Sequence, residues 1–180
     1  VKEMLSKTRA LVFVACVMLL TAFNASGDFI EDFSSGLSDW TTLGMDTPTG
    51  DVSVVGGAAC LSDGADWYSA MYRPIALTPG TYQISFDFLG NVSGDTSGDV
   101  FSDVFFASLY FVDDPDTFDL WSLGFDDALP LFDLDADGAY NIEGTVETSP
   151  LGGDWLRFSM VFDNSYDYVI PTFELYDGNY

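Results

Sequence analysis

Tyr82-Gln-Ile-Ser-Phe-Asp-Phe88 is the stretch whose reading decides the fold. Successive side chains of an extended chain point to opposite sides, so Tyr82, Ile84, Phe86 and Phe88 share one face while Gln83, Ser85 and Asp87 share the other. Large apolar residues at every second position make a half-buried strand. The pattern returns in Leu156-Arg-Phe-Ser-Met-Val-Phe162, with Leu156, Phe158, Met160 and Phe162 inward. In Val104–Val112 both faces are apolar enough for a central strand.

Working outward, shorter strands are expected at Phe29–Phe33, Val52–Val55, Ala58–Leu61, Ala70–Leu77, Phe118–Leu123, Leu129–Phe132, Tyr140–Val146 and Tyr168–Leu175. Turn-type clusters separate many of them, among them Thr47-Pro-Thr-Gly50, Gly56-Gly57, Asp63-Gly64, Thr78-Pro-Gly80 and Gly152-Gly153. Strands of this length and spacing, with no helical period beside them, predict an all-β fold: an antiparallel β-sandwich of jelly-roll type.

The first 27 residues read differently. Lys2, Lys7 and Arg9 precede the apolar run 10–23, and Ala25-Ser-Gly27 supplies small residues before Asp28, the layout of a cleaved secretion signal. Residues 1–27 are therefore expected to be a signal peptide, and 28–180 a single sandwich domain that is secreted or held at the cell surface. From Asp28 onward, 28 acidic side chains face only Arg73 and Arg157, a formal charge of −26. Such a surface repels nucleic acid and anionic lipid but suits divalent cations and neutral ligands. Cys60 is the one cysteine outside the leader, so no intrachain disulfide is expected there. The run 10–23 is shorter than the ~20 residues a membrane span needs, and no later stretch qualifies. The sequence stops at Tyr180 within what reads as the strand containing Thr172-Phe-Glu-Leu-Tyr176, so a domain truncated at its C-terminus is expected, with any surface anchor beyond Tyr180.

The chain has no histidine, which removes Ser-His-Asp and Cys-His catalysis and His-ligated zinc. Glycosidase chemistry needs only two carboxylates. Glu143 and Glu147, at an even separation, form the best pair, with a solvated strand face as the alternative. The strongest local motif is Asp133-Leu-Asp135-Ala-Asp137-Gly138, three carboxylates at alternate positions followed by glycine, as in the first half of a calcium loop. Its second half departs, with Gly144 where a ligand is due and Glu143 one place early, and an acidic hairpin turn is the alternative reading. Asn91–Asp99, continuing to Asp103, and Asp113-Asp-Pro-Asp116 with Asp119 are further acidic loops without fixed ligand spacing.

Two tryptophans fall in or beside loops, Trp67 after Asp66 and Trp121 after Asp119. A ring there can stack on a sugar face while the carboxylates of Asp66 and Asp119 accept hydroxyl protons. Core packing is the alternative for both. Trp40 and Trp155 are expected at the sandwich edge.

Phe29-Ile-Glu-Asp-Phe-Ser-Ser-Gly-Leu-Ser-Asp-Trp40 resembles the first strand and turn of bacterial carbohydrate-binding-module-like jelly rolls, and Leu77-Thr-Pro-Gly-Thr-Tyr-Gln-Ile-Ser-Phe86 resembles a later strand of theirs. With the leader and the scarcity of basic residues, the chain is similar to exported bacterial proteins of the PEP-CTERM sorting type. The resemblance implies a bacterial extracytoplasmic location and a structural calcium between first and last strands, at positions matching Glu31, Asp32 and Asp177. The expected function is thus non-catalytic binding of polysaccharide or matrix glycan by a calcium-stabilised sandwich. The alternative is a structural or adhesive surface protein whose acidic loops bridge partners through divalent ions.

Overall fold

The computed structural model describes residues 11–22, 29–62, 66–91, 103–123 and 127–176. Their strands are β1 (Leu11–Ala22), β2 (Phe29–Glu31), β3 (Thr41–Gly44), β4 (Val52–Val55), β5 (Ala58–Ser62), β6 (Tyr68–Tyr72) and β7 (Ile75–Ala76). They continue with β8 (Gly80–Asn91), β9 (Val104–Val112), β10 (Leu129–Asp135), β11 (Gly138–Tyr140), β12 (Thr145–Thr148), β13 (Leu156–Asn164) and β14 (Tyr168–Tyr176). A 3₁₀ turn spans Pro115–Thr117. No helix among the described residues is long and apolar enough to cross a membrane.

The strands form two antiparallel sheets of seven. The first runs β12-β13-β8-β1-β5-β4, with β2 on β1, and the second runs β11-β10-β9-β14-β6-β3, with β7 on β14. Their facing sides close one core: Phe86, Phe88 and Phe158 from the first sheet meet Phe105, Phe132 and Phe173 from the second, all buried. Rings interlock across it, with Phe86 and Phe173 edge to face at 5.2 Å and Phe88 and Phe132 at 4.6 Å. Truncating one of these rings to alanine costs about 3–5 kcal/mol, because the surroundings collapse only partly into the cavity. The chain is therefore an all-β sandwich, as its period of two requires.

Local chemistry explains the element ends. Gly56 and Gly57, at φ 63° and 82°, make the β4–β5 hairpin a type I′ turn that matches strand twist. The single strand expected at Ala70–Leu77 is two, β6 and β7, because Pro74 between them has no N–H for the ladder. The expected strand Phe118–Leu123 is not one. Asp114 caps the 3₁₀ turn by accepting from Asp116 N, and the Asp119 carbonyl accepts from the N–H groups of Ser122 and Leu123, so this apolar stretch curls. Phe118, Leu120 and Leu123 then lie on the outside of the second sheet. Tyr140–Val146 likewise divides into β11 and β12, with Asn141 at φ 49° turning the chain between them.

Leu11–Ala22, within the run read as the apolar centre of a leader, is extended here and lies between β8 and β5. Residues 1–10 and 23–27, the rest of that leader, together with Asp28 and Asp177, lie outside the described residues, as do residues 92–102 of the acidic loop.

Candidate functional site

The outer face of the second sheet is built by the residues that alternate with its core. Register places Asp133 of β10 beside Phe106 of β9, Phe106 beside Glu174 of β14, and Glu174 beside Ala70 of β6. The neighbouring row sets Tyr176 beside Tyr68. Segment 113–123 arches over this face. Phe118 packs edge on against Tyr72 at 4.9 Å and Tyr110 at 5.3 Å, and Leu120 of the same segment is buried in the cluster with Tyr110 and Ile170.

At the centre sits Glu174, 3% exposed. Its Oε2 accepts from the Tyr68 hydroxyl at 2.8 Å and the Tyr176 hydroxyl at 3.4 Å. Its Oε1 accepts nothing from the described residues. Burial pushes the Glu174 carboxyl above the ordinary glutamate range, and the two tyrosine bonds only partly offset that. The same burial, with the Glu174 charge nearby, drives the Tyr68 and Tyr176 hydroxyls up and pushes Tyr110 up to about 12. All three phenols are neutral at physiological pH, and those of Tyr68 and Tyr176 donate to Glu174.

Around this group the structure brings Trp67 and Trp121 together. Trp121 lies 4.9 Å from Tyr68 and is 50% exposed, while half-buried Trp67 lies 6.3 Å from Tyr68 and 6.4 Å from Tyr176. Their two carboxylate neighbours take other roles. Asp66 is buried and faces the 46–47 turn, accepting from Asp46 N at 2.6 Å, Thr47 N at 2.9 Å and the Thr47 hydroxyl. Burial alone would raise the Asp66 pKa, but these bonds outweigh it and hold the group below the usual range. Gly44 is required beside it, since a Cβ there would stand 2.2 Å from Asp66 Oδ2. Asp119 is exposed, and its Oδ1 accepts from Trp121 N at 3.1 Å, fixing the turn that presents the tryptophan. Asp66 and Asp119 thus position the aromatic patch. Trp40, by contrast, is buried against Phe33 and Phe173.

Among the described residues, the expected calcium ligands Glu31, Asp32, Asp133 and Asp135 have protein partners of their own. Glu31 already holds a cation: its Oε2 accepts from Arg73 at 2.6 Å and from Trp40 Nε1 at 3.1 Å, while Oε1 takes Phe33 N at 2.7 Å. That last bond helps keep Phe33 at φ 52°, a left-handed conformation bulky residues avoid. Asp32 is exposed and caps Ser34 N at 2.9 Å. Asp133 Oδ2 accepts from Asn141 Nδ2 at 2.7 Å and Asp135 Oδ1 from Asp137 N at 2.8 Å, the pattern of an acidic hairpin turn. Among the described residues no three His, Cys, Asp or Glu side chains gather into a metal-binding group. Glu143 and Glu147 do not share a strand face either. Glu143 precedes β12, and Glu147 lies beside Arg157.

Sequence reading missed Tyr68, Tyr110, Glu174 and Tyr176. The one available signal was a lone glutamate in Thr172-Phe-Glu-Leu-Tyr176, sharing a face with Tyr176. Comparison with family models, curated proteins and solved structures finds no match.

Proposed function

We propose that this is an exported, non-catalytic β-sandwich that binds carbohydrate on the outer face of its second sheet. The observation that carries the reading is Trp121, half exposed on the buried Tyr68, with Trp67 and Tyr176 flanking and the Glu174 carboxyl below. Exposed rings of this kind take the apolar face of a pyranose, and acidic neighbours accept its hydroxyl protons. The dense negative charge favours a neutral glycan over an anionic one. Export is supported by the leader pattern of residues 1–27, and the place of Leu11–Ala22 as strand β1 between β8 and β5 speaks against its removal.

The test is retention of the protein on a panel of insoluble polysaccharides, with calcium and again with chelator. Saturable retention on one glycan class, lost in Trp121→Ala at unchanged melting temperature, is the expected result. Loss with chelator would place calcium in the binding. No retention of the folded protein on any glycan would overturn the reading and favour a structural, adhesive surface protein.

A further inference from the structure

Beyond the tryptophans, the same face carries a depression of about 280 Å³ lined by Phe106, Ser108, Ala128, Pro130 and Asp133. Its walls are two kinds of surface: the Phe106 ring, Pro130 and Ala128 are apolar, while Ser108 and Asp133 bring oxygens. Ser108 is 5% exposed, and its hydroxyl makes no hydrogen bond with the described residues. A buried hydroxyl left without a partner costs free energy, so one that lines a depression marks a place where a polar atom from outside belongs. Asp133 is half-buried, and the Asn141 amide fixes its Oδ2, which leaves Oδ1 with no donor among the described residues. Neither group is used by the aromatic patch.

We infer that this depression is a second binding position on the same face, taking a further ring of an uncharged oligosaccharide whose hydroxyls meet Ser108 Oγ and Asp133 Oδ1. The inference rests on the carbohydrate reading. Tyr68, which bears Trp121, stands on β6, and Asp133 stands on β10, three strand spacings away, or about 14 Å. A single sugar cannot reach both, so the ligand is a chain that crosses β14 and β9. Phe106, between Asp133 and Glu174 in register, supplies the apolar floor midway. A glycan carrying carboxylates or sulfates would bring like charge against Asp133, which sets the preference for neutral chains.

The experiment is calorimetric titration of the full chain with cello-, xylo- and manno-oligosaccharides from the mono- to the hexasaccharide, and with oligogalacturonate as the anionic probe. Affinity for one neutral series should climb with length and then level off, while oligogalacturonate binds more weakly. Ser108→Ala and Asp133→Asn should each lower affinity for the long members by about tenfold and leave the shortest binding member unchanged. Trp121→Ala should weaken every length. Length-independent affinity, or unaltered binding of long chains by both Ser108→Ala and Asp133→Asn, would overturn this inference and leave the Trp121 reading standing. Tighter binding of oligogalacturonate would overturn the neutral-ligand assignment. Failure of the folded wild type to bind any series would overturn both.

Discussion

The outer faces of the two sheets follow the same alternation and do opposite things with it. On the first sheet, Asp87 and Arg157 stand side by side and make a bidentate pair at 2.9 and 2.7 Å, and Ser85 meets Ser159 at 3.0 Å. Each of these polar groups is answered by its cross-strand neighbour. On the second sheet the corresponding positions carry Phe106, Ser108, Tyr110, Glu174, Tyr176 and Tyr68, and oxygens of Ser108 and Glu174 are left without donors from the described residues. A face whose polar groups answer one another is a structural surface, whereas rings with spare hydrogen-bonding capacity are what the proposed binding face requires.

The largest effect should come from breaking the structural face. Arg157→Ala leaves Asp87, 1% exposed, as a buried carboxylate without its cation. The cost is about 3 kcal/mol, read as a lower urea midpoint, with glycan retention unchanged in the folded protein. A loss of retention without a loss of stability would break the contrast between the faces.

Next in size is Trp121→Ala. Half-exposed aromatic anchors contribute about 2 kcal/mol to binding, or roughly thirtyfold in Kd, while truncation of an exposed ring changes stability by only about 0.5 kcal/mol. Equal losses in both would make Trp121 a packing residue. Asp119→Ala should follow more weakly, because it removes the acceptor for Trp121 N and loosens the ring rather than deleting it.

The smallest effect sharpens the role of Glu174 and depends on pH. Burial raises its folded pKa above the unfolded value, so its contribution to stability is complete below the unfolded pKa of about 4.3 and is lost as pH rises through the folded value. Glu174→Gln keeps the shape and removes the titration. The gap in melting temperature between variant and wild type should therefore move in the variant's favour from pH 4 to pH 8. Asp66, held below its usual range, acts in the opposite sense, stabilising above its unfolded pKa and losing that contribution as pH falls through its folded one. A wild-type-to-Gln gap that does not vary with pH would show that Glu174 is not buried as described.

What could be read from residues alone divides along the same line. The core faces of β8, β9 and β13 were legible because a period of two in large apolar residues has one physical solution. Phe118–Leu123 misled because an apolar stretch carries no label for sheet edge or sheet cover, and the cap at Asp114 and the Asp119 turn settled the matter. Trp67 and Trp121 were legible as loop-side aromatics by their position, and the structure brings them together around Tyr68, but Asp66 and Asp119 beside them were not legible as turn anchors. Glu174 was hidden because its partners Tyr68 and Tyr176 are set by cross-strand register, a long-range property. The alternate carboxylates Asp133, Asp135 and Asp137 had two readings, an ion loop and an acidic turn, and the bonds from Asn141 and Asp137 N are turn contacts that spacing alone does not reveal.

The most direct measurement places the two faces in one experiment: retention of wild type, Arg157→Ala and Trp121→Ala on the polysaccharide panel, each shown folded by circular dichroism. Wild type and Arg157→Ala should be held by the same neutral glycan and Trp121→Ala should pass through. Retention of Trp121→Ala equal to wild type, or loss in Arg157→Ala alone, would contradict the assignment of the second sheet as the binding face.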